Sequence, residues 1–538
     1  MSSAKGLTRL LLGVMLTLST SVAALAADGQ TPLARALAEL LAEQTTDVQD
    51  FYDAREGRPA WQQAETVRDF AEALQRMATD GLTPEDYRPA TLVDRQRQLQ
   101  EASPAERARF DLYASQVLMT ALRHLQHGKV DPERINQAWN VPIEAPPLTL
   151  SAVSRDVDAR RFERAFDRVR PAAEPYARLR DGLVRYRHIE AQGGWPTLPR
   201  REQPLRPGDR HDDVRLLRER LTITEDLEVT VADLFGGAGE PSTDQRRYDD
   251  ELVAAVERFQ RRHLLEVDGV LGPKTRESLN VPVGERIAQI RVNLERARWL
   301  LHGLPDAFVL VDIAGYRVRY FRPDGEVWTS RIVVGRPYRR TPSLRSEITH
   351  LTVNPTWTIP PTIRREDVLP KIREDQAYLV RNNIRVLSPS GEELDPAQID
   401  WDQPGNVMLR QQAGSDNPLG QVVIRFPNDH LVYLHDTPAQ QLFSREQRAF
   451  SSGCIRVENV MELVQLLLDD TSTPRDIRDL VAEGETRKVP LNRHVPVVLH
   501  YWTAQVDSQG TLSFRPDIYE RDEALQEALD RPVSRLDG

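Results

Sequence analysis

The spacing of apolar residues changes near residue 307, and this change restricts the possible folds more than any other feature of the chain. Before it, apolar side chains recur at helical spacing, as at Leu33, Leu37 and Leu40. After it, apolar and β-branched runs such as Phe308–Ile313 and Trp328–Val334 are typical of strands. The 538 residues therefore predict a multidomain α+β protein, with about three to five domains of ordinary size.

Turn-rich segments divide the chain into consecutive regions. We expect a helical region over residues 28–200, a small helical module over 201–283, a strand-rich domain over 300–505 and a C-terminal tail over 506–538. Gly236–Gly239 inside the module is interpreted as a flexible loop. It lacks the preceding strand and the following Lys-Ser/Thr pair of a phosphate-binding loop.

The strand-rich domain is predicted to begin as a meander. Turns separate the runs Phe308–Ile313, Arg317–Phe321 and Trp328–Val334, which is typical of an antiparallel sheet. From about residue 360 to 418 a polar, mixed insertion interrupts this pattern, with helix-like stretches near Arg364–Asn382. An insertion of this length indicates a cap over a site.

The N-terminus has the pattern of a targeting segment. Lys5 and Arg9 precede the apolar run Leu10–Leu18, and Ala24-Leu25-Ala26 is a small-x-small cleavage site. The pattern predicts a signal peptide over residues 1–26. An uncleaved anchor in the inner membrane is the alternative, although the apolar run is short for a spanning helix. Either way, we expect the body of the protein in the periplasm.

The charge balance argues against a nucleic-acid-binding protein. The net charge is −10 and the pI about 5.7, whereas nucleic-acid-binding domains are usually basic. His124 and His127 could share a helix face, but no third ligand accompanies them. We therefore predict neither a metal nor an organic cofactor.

The chain has a single cysteine, Cys454. Exported proteins usually use cysteines in disulfide pairs, so a cysteine without an intramolecular partner indicates a reactive thiol. A buried, inert cysteine is the alternative that this count alone leaves open.

The surroundings of Cys454 favour the reactive thiol. Cys454 is predicted to lie just ahead of a helix beginning near Val460, where the helix dipole and free N–H groups favour a thiolate. His435, at the end of a strand, is the candidate general base, with a structural histidine as the alternative. Gly453 allows a close backbone approach, and the N–H groups of Gly453 and Cys454 are candidate donors to an oxyanion.

At these residues the chain resembles the L,D-transpeptidase catalytic domain family. The matching runs are His435-Asp436-Thr437-Pro438 and Ser451-Ser452-Gly453-Cys454-Ile455-Arg456-Val457. Ser452 and Arg456 replace a histidine and an asparagine that are usual in the family. Both departures are similar to the large Gram-negative subgroup, which has a cap and a peptidoglycan-binding module. The resemblance implies a helical scaffold domain over 28–200 and a catalytic domain over 300–505 with its cap at about 360–418.

The module over residues 201–283 resembles the peptidoglycan-binding domain family, a three-helix bundle. The matching residues are Asp213-Val214, Ala255-Val256, Phe259-Gln260, Asp268-Gly269-Val270, Gly272, Thr275 and Leu279-Asn280. The loop at Gly236–Gly239 departs from the compact family pattern. A helical linker domain is the alternative reading of this module.

The resemblance implies a reaction at Cys454. The thiol attacks the carbonyl of meso-diaminopimelate in a tetrapeptide stem and expels D-alanine, and the amine of a second diaminopimelate opens the thioester to give a 3→3 crosslink. His435 accepts the thiol proton and later protonates the leaving amine. The implied partners are peptidoglycan stem peptides and glycan, with other wall-synthesis enzymes as further candidates. The resemblance also leads us to expect a carbapenem adduct on Cys454.

Substrate-binding candidates surround the two central residues. They are Arg456, Ser452, Tyr433, Asp436 and Trp357. The resemblance implies that the backbone carbonyl of Asp436 orients the imidazole, while its side chain is expected to cap a turn. Arg456 is a candidate for binding a substrate carboxylate, with a structural ion pair as the alternative. Trp357 is a candidate for the donor groove or for core packing, and the cap residues near Tyr378 are further candidates for the groove.

Three other functions are compatible with these patterns. Water in place of the acceptor amine would make the protein an L,D-carboxypeptidase. A papain-like peptidase usually places cysteine before histidine in the chain, the reverse of the order here. A non-catalytic wall-binding scaffold would be consistent with the module at 201–283 but leaves the Cys454 and His435 pair without a role.

Overall fold

The computed structural model describes residues 31–136, 139, 141–228 and 244–533. The predicted signal peptide over 1–26 and the loop Gly236–Gly239 lie outside the described residues. The described chain forms two compact units: the first comprises residues up to Val130, 144–173 and those from Glu527 onward, and the second comprises Asp131–Ile143 and Glu174–Gln526.

The first unit is built from amphipathic helices. Helix α5 begins at a capping box, because Ser103 Oγ accepts the N–H of Glu106 and the Glu106 carboxylate accepts the Ser103 N–H at 2.8 Å. The core of the first unit contains the rings of Trp61, Phe70 and Phe162. The helices up to residue 167, of which α6 belongs to the second unit, are α1 (Pro32–Leu41), α2 (Thr46–Asp53), α3 (Ala64–Arg76), α4 (Pro89–Gln98), α5 (Pro104–His127), α6 (Pro132–Ile135), α7 (Leu150–Asp158) and α8 (Phe162–Asp167).

The second unit begins with helices that include the predicted three-helix module. Helices α10, α11 and α12 bury Val214, Val256 and Leu279 in a common core. The Gln260 side chain stabilises the turn between α11 and α12. Its amide NH₂ donates to Asp268 and Thr275, and its amide oxygen accepts the Gly269 N–H. The helices are α9 (Glu174–Ala191), α10 (Asp213–Ile223), α11 (Asp250–Arg262), α12 (Pro273–Leu279) and α13 (Val283–Leu300).

The strand-rich domain is a closed mixed sheet. The strands of the second unit are β1 (Phe308–Asp312), β2 (Arg317–Phe321), β3 (Val327–Gly335), β4 (Leu344–Val353), β5 (Trp357–Thr358), β6 (Ile384–Leu387), β7 (Met408–Gln411), β8 (Val422–Arg425), β9 (Leu434–His435), β10 (Ala449–Ser451), β11 (Ile455–Val457), β12 (Arg487–His500), β13 (Ala504–Val506) and β14 (Leu512–Phe514). Nine of them run in the order β10-β3-β11-β9-β8-β4-β12-β1-β2, and β2 also pairs with β3, which closes the sheet.

The predicted meander is confirmed for β1, β2 and β3, which pair antiparallel. The rest of the sheet is mixed. β3 with β11, β4 with β8 and β12, and β8 with β9 pair antiparallel, whereas β12 pairs parallel with β1, β11 with β9, and β10 with β3. Apolar side chains from both ends of the domain, such as Val311, Ile424 and Leu499, are buried in one core. The sheet therefore joins strands that are distant in sequence, and its parallel pairs require crossover connections.

The insertion after β4 folds as a cap subdomain with its own core. Strands β5, β7 and β6 form a small antiparallel sheet that packs with buried residues such as Ile372, Trp401 and Leu409. The predicted helical stretch is confirmed as α14 (Pro361–Ile363), a π-helical turn (Arg364–Val368), α15 (Leu369–Glu374) and α16 (Ala377–Arg381).

The end of the chain is folded, and the expectation of a tail over 506–538 is wrong for its described part. β13 and β14 pair antiparallel, and the remaining helices are α17 (Val460–Asp470), α18 (Ile477–Ala482) and α19 (Asp522–Asp530). Leu525 and Leu529 on α19 are buried, so a helical apolar pattern was present in this segment. No helix among the described residues has the length and apolar character needed to cross a membrane.

Substitution of Gly335 tests how closely the end of β3 packs against the backbone of Arg339–Thr341. A Cβ at this position would lie 2.1 Å from Arg339 O and 2.8 Å from Thr341 N, both backbone atoms that cannot rotate away. We expect Gly335→Ala to lower the free energy of unfolding of the catalytic domain by about 2–3 kcal/mol, measured by urea denaturation. Gly272→Ala is the matched control, because a Cβ there meets nothing within 4 Å. Equal stability of the two variants would contradict this packing.

Candidate active site

Two short parallel strands bring the predicted site residues together. Ile455 pairs with Leu434 and Arg456 with His435, and the Ile455 N–H donates to Tyr433 O at 3.0 Å. Because side chains alternate along a strand, Tyr433 and His435 lie on the same face as Cys454 and Arg456. All four line one cavity of about 760 Å³.

His435 is buried and has a defined orientation. Its Nδ1 lies 2.5 Å from the backbone oxygen of Asp436. A carbonyl can only accept, so Nδ1 carries the proton and Nε2 of the neutral ring is an acceptor. Burial is the main reason that the pKa of His435 falls to about 3, and the charge of Arg456 contributes further. The imidazole is therefore neutral at physiological pH.

Cys454 is half-buried beside Tyr433. Burial raises the pKa of the Cys454 thiol, and the hydrogen bonds from Tyr433 and the charges of Arg425 and Arg456 oppose this only in part. The predicted helix is confirmed and begins at Val460 as α17, but β11 lies between Cys454 and this helix, so the expectation that Cys454 lies at the helix N-terminus is wrong. The thiol thus lacks the helix dipole, and its resting form is neutral.

The loop before Cys454 is held by a set of local hydrogen bonds. Gly453 has a φ of +119°, which favours glycine, and its carbonyl accepts from Thr341 Oγ1 at 2.8 Å. The N–H of Gly453 donates to Ser451 Oγ at 3.1 Å, and this hydroxyl donates to Cys454 O at 2.6 Å. The Gly453 N–H proposed from the sequence as an oxyanion donor is therefore already engaged. Within the described part of the chain, the Cys454 N–H makes no backbone hydrogen bond.

Arg456 is a half-buried cation on the cavity wall. Its Nε is buried without a hydrogen-bond partner, and burial lowers the pKa of its guanidinium. Among residues 31–136, 139, 141–228 and 244–533, no carboxylate lies within ion-pair distance of it. An unpaired buried cation is costly, and the cost falls when an anion binds.

Ser452 connects the cysteine loop to the cap. Its hydroxyl accepts from Arg339 Nη1 at 2.9 Å. The Arg339 guanidinium also pairs with Glu366 and Asp367 at 2.7 Å each, and both acids lie on the π-helical turn of the cap. Nothing in the sequence pattern of Arg339 singled it out, since its partners are distant in the chain.

The other predicted residues have different positions. The Asp436 carboxylate accepts the N–H of Gln421, 15 residues earlier in the chain, at 2.9 Å. Burial raises its pKa. Trp357 lines the cavity and also packs against the core of the cap. The cap does line the cavity, through Pro360 and Ile363, whereas Tyr378 itself packs within the cap.

The cavity wall also contains residues that the sequence did not indicate. Trp139 and Trp299 form one side, with ring centroids 5.3 Å apart, and Tyr501 and Arg521 form another. The amphipathic pattern of α19 could have revealed the folded C-terminal segment. The described residues contain no group of histidine, cysteine or acidic side chains that could hold a metal ion.

Three parts of the chain match known families. Residues 306–486 match the L,D-transpeptidase catalytic domain, 210–279 the peptidoglycan binding domain and 46–183 the scaffold domain. A Haemophilus influenzae protein, named provisionally as an L,D-transpeptidase, is 37% identical over 221 residues, which are 40% of this chain and 45% of that protein. The chain thus aligns with less than half of that relative's length. These matches confirm the resemblance of the three domains and their multidomain α+β fold.

A comparison with solved structures matched another L,D-transpeptidase. The crystal structure of an L,D-transpeptidase from Xylanimonas cellulosilytica is 15% identical, and the alignment covers 56% of this chain and 100% of that one with a TM-score of 0.17. A score this low does not establish a common fold.

The charge state of Cys454 can be tested by alkylation. Because burial raises the thiol pKa and leaves His435 neutral, we expect the rate of iodoacetamide alkylation to increase about tenfold per pH unit up to about pH 9. Intact-mass spectrometry measures the rate without ambiguity, since the chain has one cysteine. The urea-unfolded chain is the reference for an ordinary thiol. A rate that is constant below about pH 7 would indicate a thiolate–imidazolium pair instead.

Proposed function

We propose that this chain, which carries an L,D-transpeptidase catalytic domain together with peptidoglycan-binding and scaffold domains, forms 3→3 crosslinks between diaminopimelate residues of peptidoglycan stems. The observation that carries the proposal is the common cavity of Cys454 and His435 on paired parallel strands. The substrate of this reaction, peptidoglycan, lies outside the cytoplasm, and we propose that the protein is located there too. The reaction needs a nucleophile, a base and an anion site, and each has a candidate residue.

The proposed reaction begins with two neutral groups. Cys454 Sγ attacks the diaminopimelate carbonyl while its proton passes to His435 Nε2, which is free because Nδ1 is bonded to Asp436 O. The transfer during attack avoids a resting thiolate, whose formation burial opposes. The tetrahedral oxyanion is proposed to accept the Cys454 N–H, and one such donor typically contributes about 10²–10³ in rate.

Collapse of this intermediate breaks the bond to D-alanine. The imidazolium of His435 returns its proton to the leaving amine, and the acyl group remains on Cys454 as a thioester. The side-chain amine of a second diaminopimelate then attacks the thioester and gives its proton to His435. The released sulfur recovers that proton, so the enzyme returns to its neutral starting state.

The cap supports transfer over hydrolysis. Arg339 joins the cap acids Glu366 and Asp367 to Ser452, next to the nucleophile. Covering the cavity in this way restricts the access of water to a thioester. An L,D-carboxypeptidase remains the alternative outcome of the experiment that follows.

Replacement of the nucleophile tests the reaction. We expect purified wild-type protein to convert tetrapeptide-rich sacculi into muropeptides with 3→3 dimers, and Cys454→Ala to yield none, because no other thiol is present. Muropeptide mass spectrometry measures both products. Carbapenem binding is the control for access to the site. We expect an adduct on the wild type and none on the variant. Tripeptides without dimers from the wild type would favour the carboxypeptidase, and dimers from Cys454→Ala would exclude this mechanism.

Arg456 is proposed to bind a substrate carboxylate. Its guanidinium has no ion-pair partner in the described chain and lies beside the nucleophile. We expect Arg456→Gln to lower kcat/KM for D-alanine release by roughly 10- to 100-fold, mainly through KM, with partial recovery in Arg456→Lys. Arg331→Gln on β3 is the control, since Arg331 pairs with Glu458 and does not line the cavity. An equal loss in both variants would assign the effect to the fold.

A further inference from the structure

One wall of the cavity is built on two stacked tyrosines. The rings of Tyr501 and Tyr519 lie 5.3 Å apart at an angle of 11°. Tyr519 Oη donates to Gly335 O at 2.7 Å and accepts the Thr341 N–H at 3.1 Å. Tyr501 Oη donates to Asp517 at 2.5 Å. Both hydroxyls are bonded, so this wall is rigid and its rings present their faces to neighbouring groups.

The Arg521 guanidinium lies against this wall and lines the cavity. Its Cζ is 5.0 Å from the ring centroids of both Tyr501 and Tyr519. It donates to Ser343 Oγ at 3.3 Å and to Thr341 O at 3.4 Å, which are long contacts. Most of its five N–H donors thus have no strong acceptor in the described chain.

The nearby carboxylates do not neutralise Arg521. Asp517 accepts the backbone N–H groups of Arg521 and Asp522 at 3.0 and 2.7 Å. Asp522 pairs with Arg296 at 2.7 Å. Glu520 also lines the cavity but is exposed and makes no ion pair within the described residues. Burial lowers the pKa of Arg521 to about 10, in agreement with a cation that lacks a partner.

Arg521 is connected through Thr341 to the residue before the nucleophile. Thr341 Oγ1 donates to the carbonyl of Gly453, the residue before Cys454, while Thr341 O accepts from Arg521. Arg456 approaches the nucleophile from the other direction, along β11. Arg456 and Arg521 thus both line the cavity that contains the thiol, as does Arg340, whose Nε donates to Pro337 O.

We propose that Arg521 forms a second carboxylate-binding subsite, separate from Arg456, which takes the side-chain carboxylate of the diaminopimelate residue whose carbonyl is attacked. This inference rests on the proposed function. Diaminopimelate ends in an amine and a carboxylate, whereas lysine ends in the amine alone. The attacked carbonyl and this side chain belong to one residue, and Cys454 and Arg521 line the same cavity. Arg521 therefore distinguishes diaminopimelate stems from lysine stems.

The test compares D-alanine release from two tetrapeptides, with diaminopimelate or lysine as the third residue. For the wild type we expect kcat/KM to favour diaminopimelate by roughly 10- to 100-fold. Arg521→Gln loses this preference through a higher KM for the diaminopimelate peptide alone, and Arg521→Lys keeps part of it. Arg487→Gln is the matched control, because Arg487 pairs with Glu483 and does not line the cavity.

The outcomes separate this subsite from the proposed function. Absence of D-alanine release from both peptides by the wild type would contradict the proposed function. Release with an unchanged preference in Arg521→Gln would overturn the subsite alone. Because Arg521 also contacts Ser343 and Thr341, thermal unfolding shows whether the variant is folded. If it is not folded, calorimetric titration of Cys454→Ala with each peptide gives the two affinities. Equal affinities for the diaminopimelate and lysine peptides would overturn the subsite.

Discussion

The parallel pairing of β9 with β11 is the interaction on which the candidate site depends. These strands have two and three residues, too few to be stable in isolation. They persist because β8 and β3 flank them and because Leu434 and Ile455 are buried in the domain core. A shift of one residue would turn His435 and Cys454 to opposite faces. The closed sheet therefore defines the geometry of the cavity.

Burial in this sheet also determines the charges in the cavity. It disfavours the ionised forms of both Cys454 and His435, so the pair rests neutral, and in the proposed reaction the proton moves during attack. The arginines cannot lose their charge at neutral pH, and Arg456 and Arg521 have no carboxylate partner in the described chain. A site with neutral reactive groups and unpaired cations is suited to an anionic peptide. The cost of burying the cations decreases when a substrate carboxylate binds.

Local patterns predicted the parts of the structure that depend on local interactions. The bounds of β2, the helices of the small module and the Cys454 and His435 cavity follow from periodicity, turns and short motifs. β12 was missed, although it is central and long, because Pro490 and Pro496 and several charges obscure its pattern. β11 is too short to show alternation, so the strand that separates Cys454 from the helix at Val460 was missed. Arg521 belongs to the cavity only through long-range packing, which spacing cannot reveal.

The contact between Ser452 and Arg339 explains why a serine is suited to position 452. The related family usually has histidine there, whereas a short hydroxyl allows Arg339 to approach at 2.9 Å while it holds Glu366 and Asp367. Both acids lie on a π-helical turn, a rare conformation that is frequent at functional sites. The departure from the family motif and the presence of the cap are thus two parts of one arrangement. In a chain without the cap, Arg339 would lose both acids, and a hydroxyl at 452 would have no comparable role.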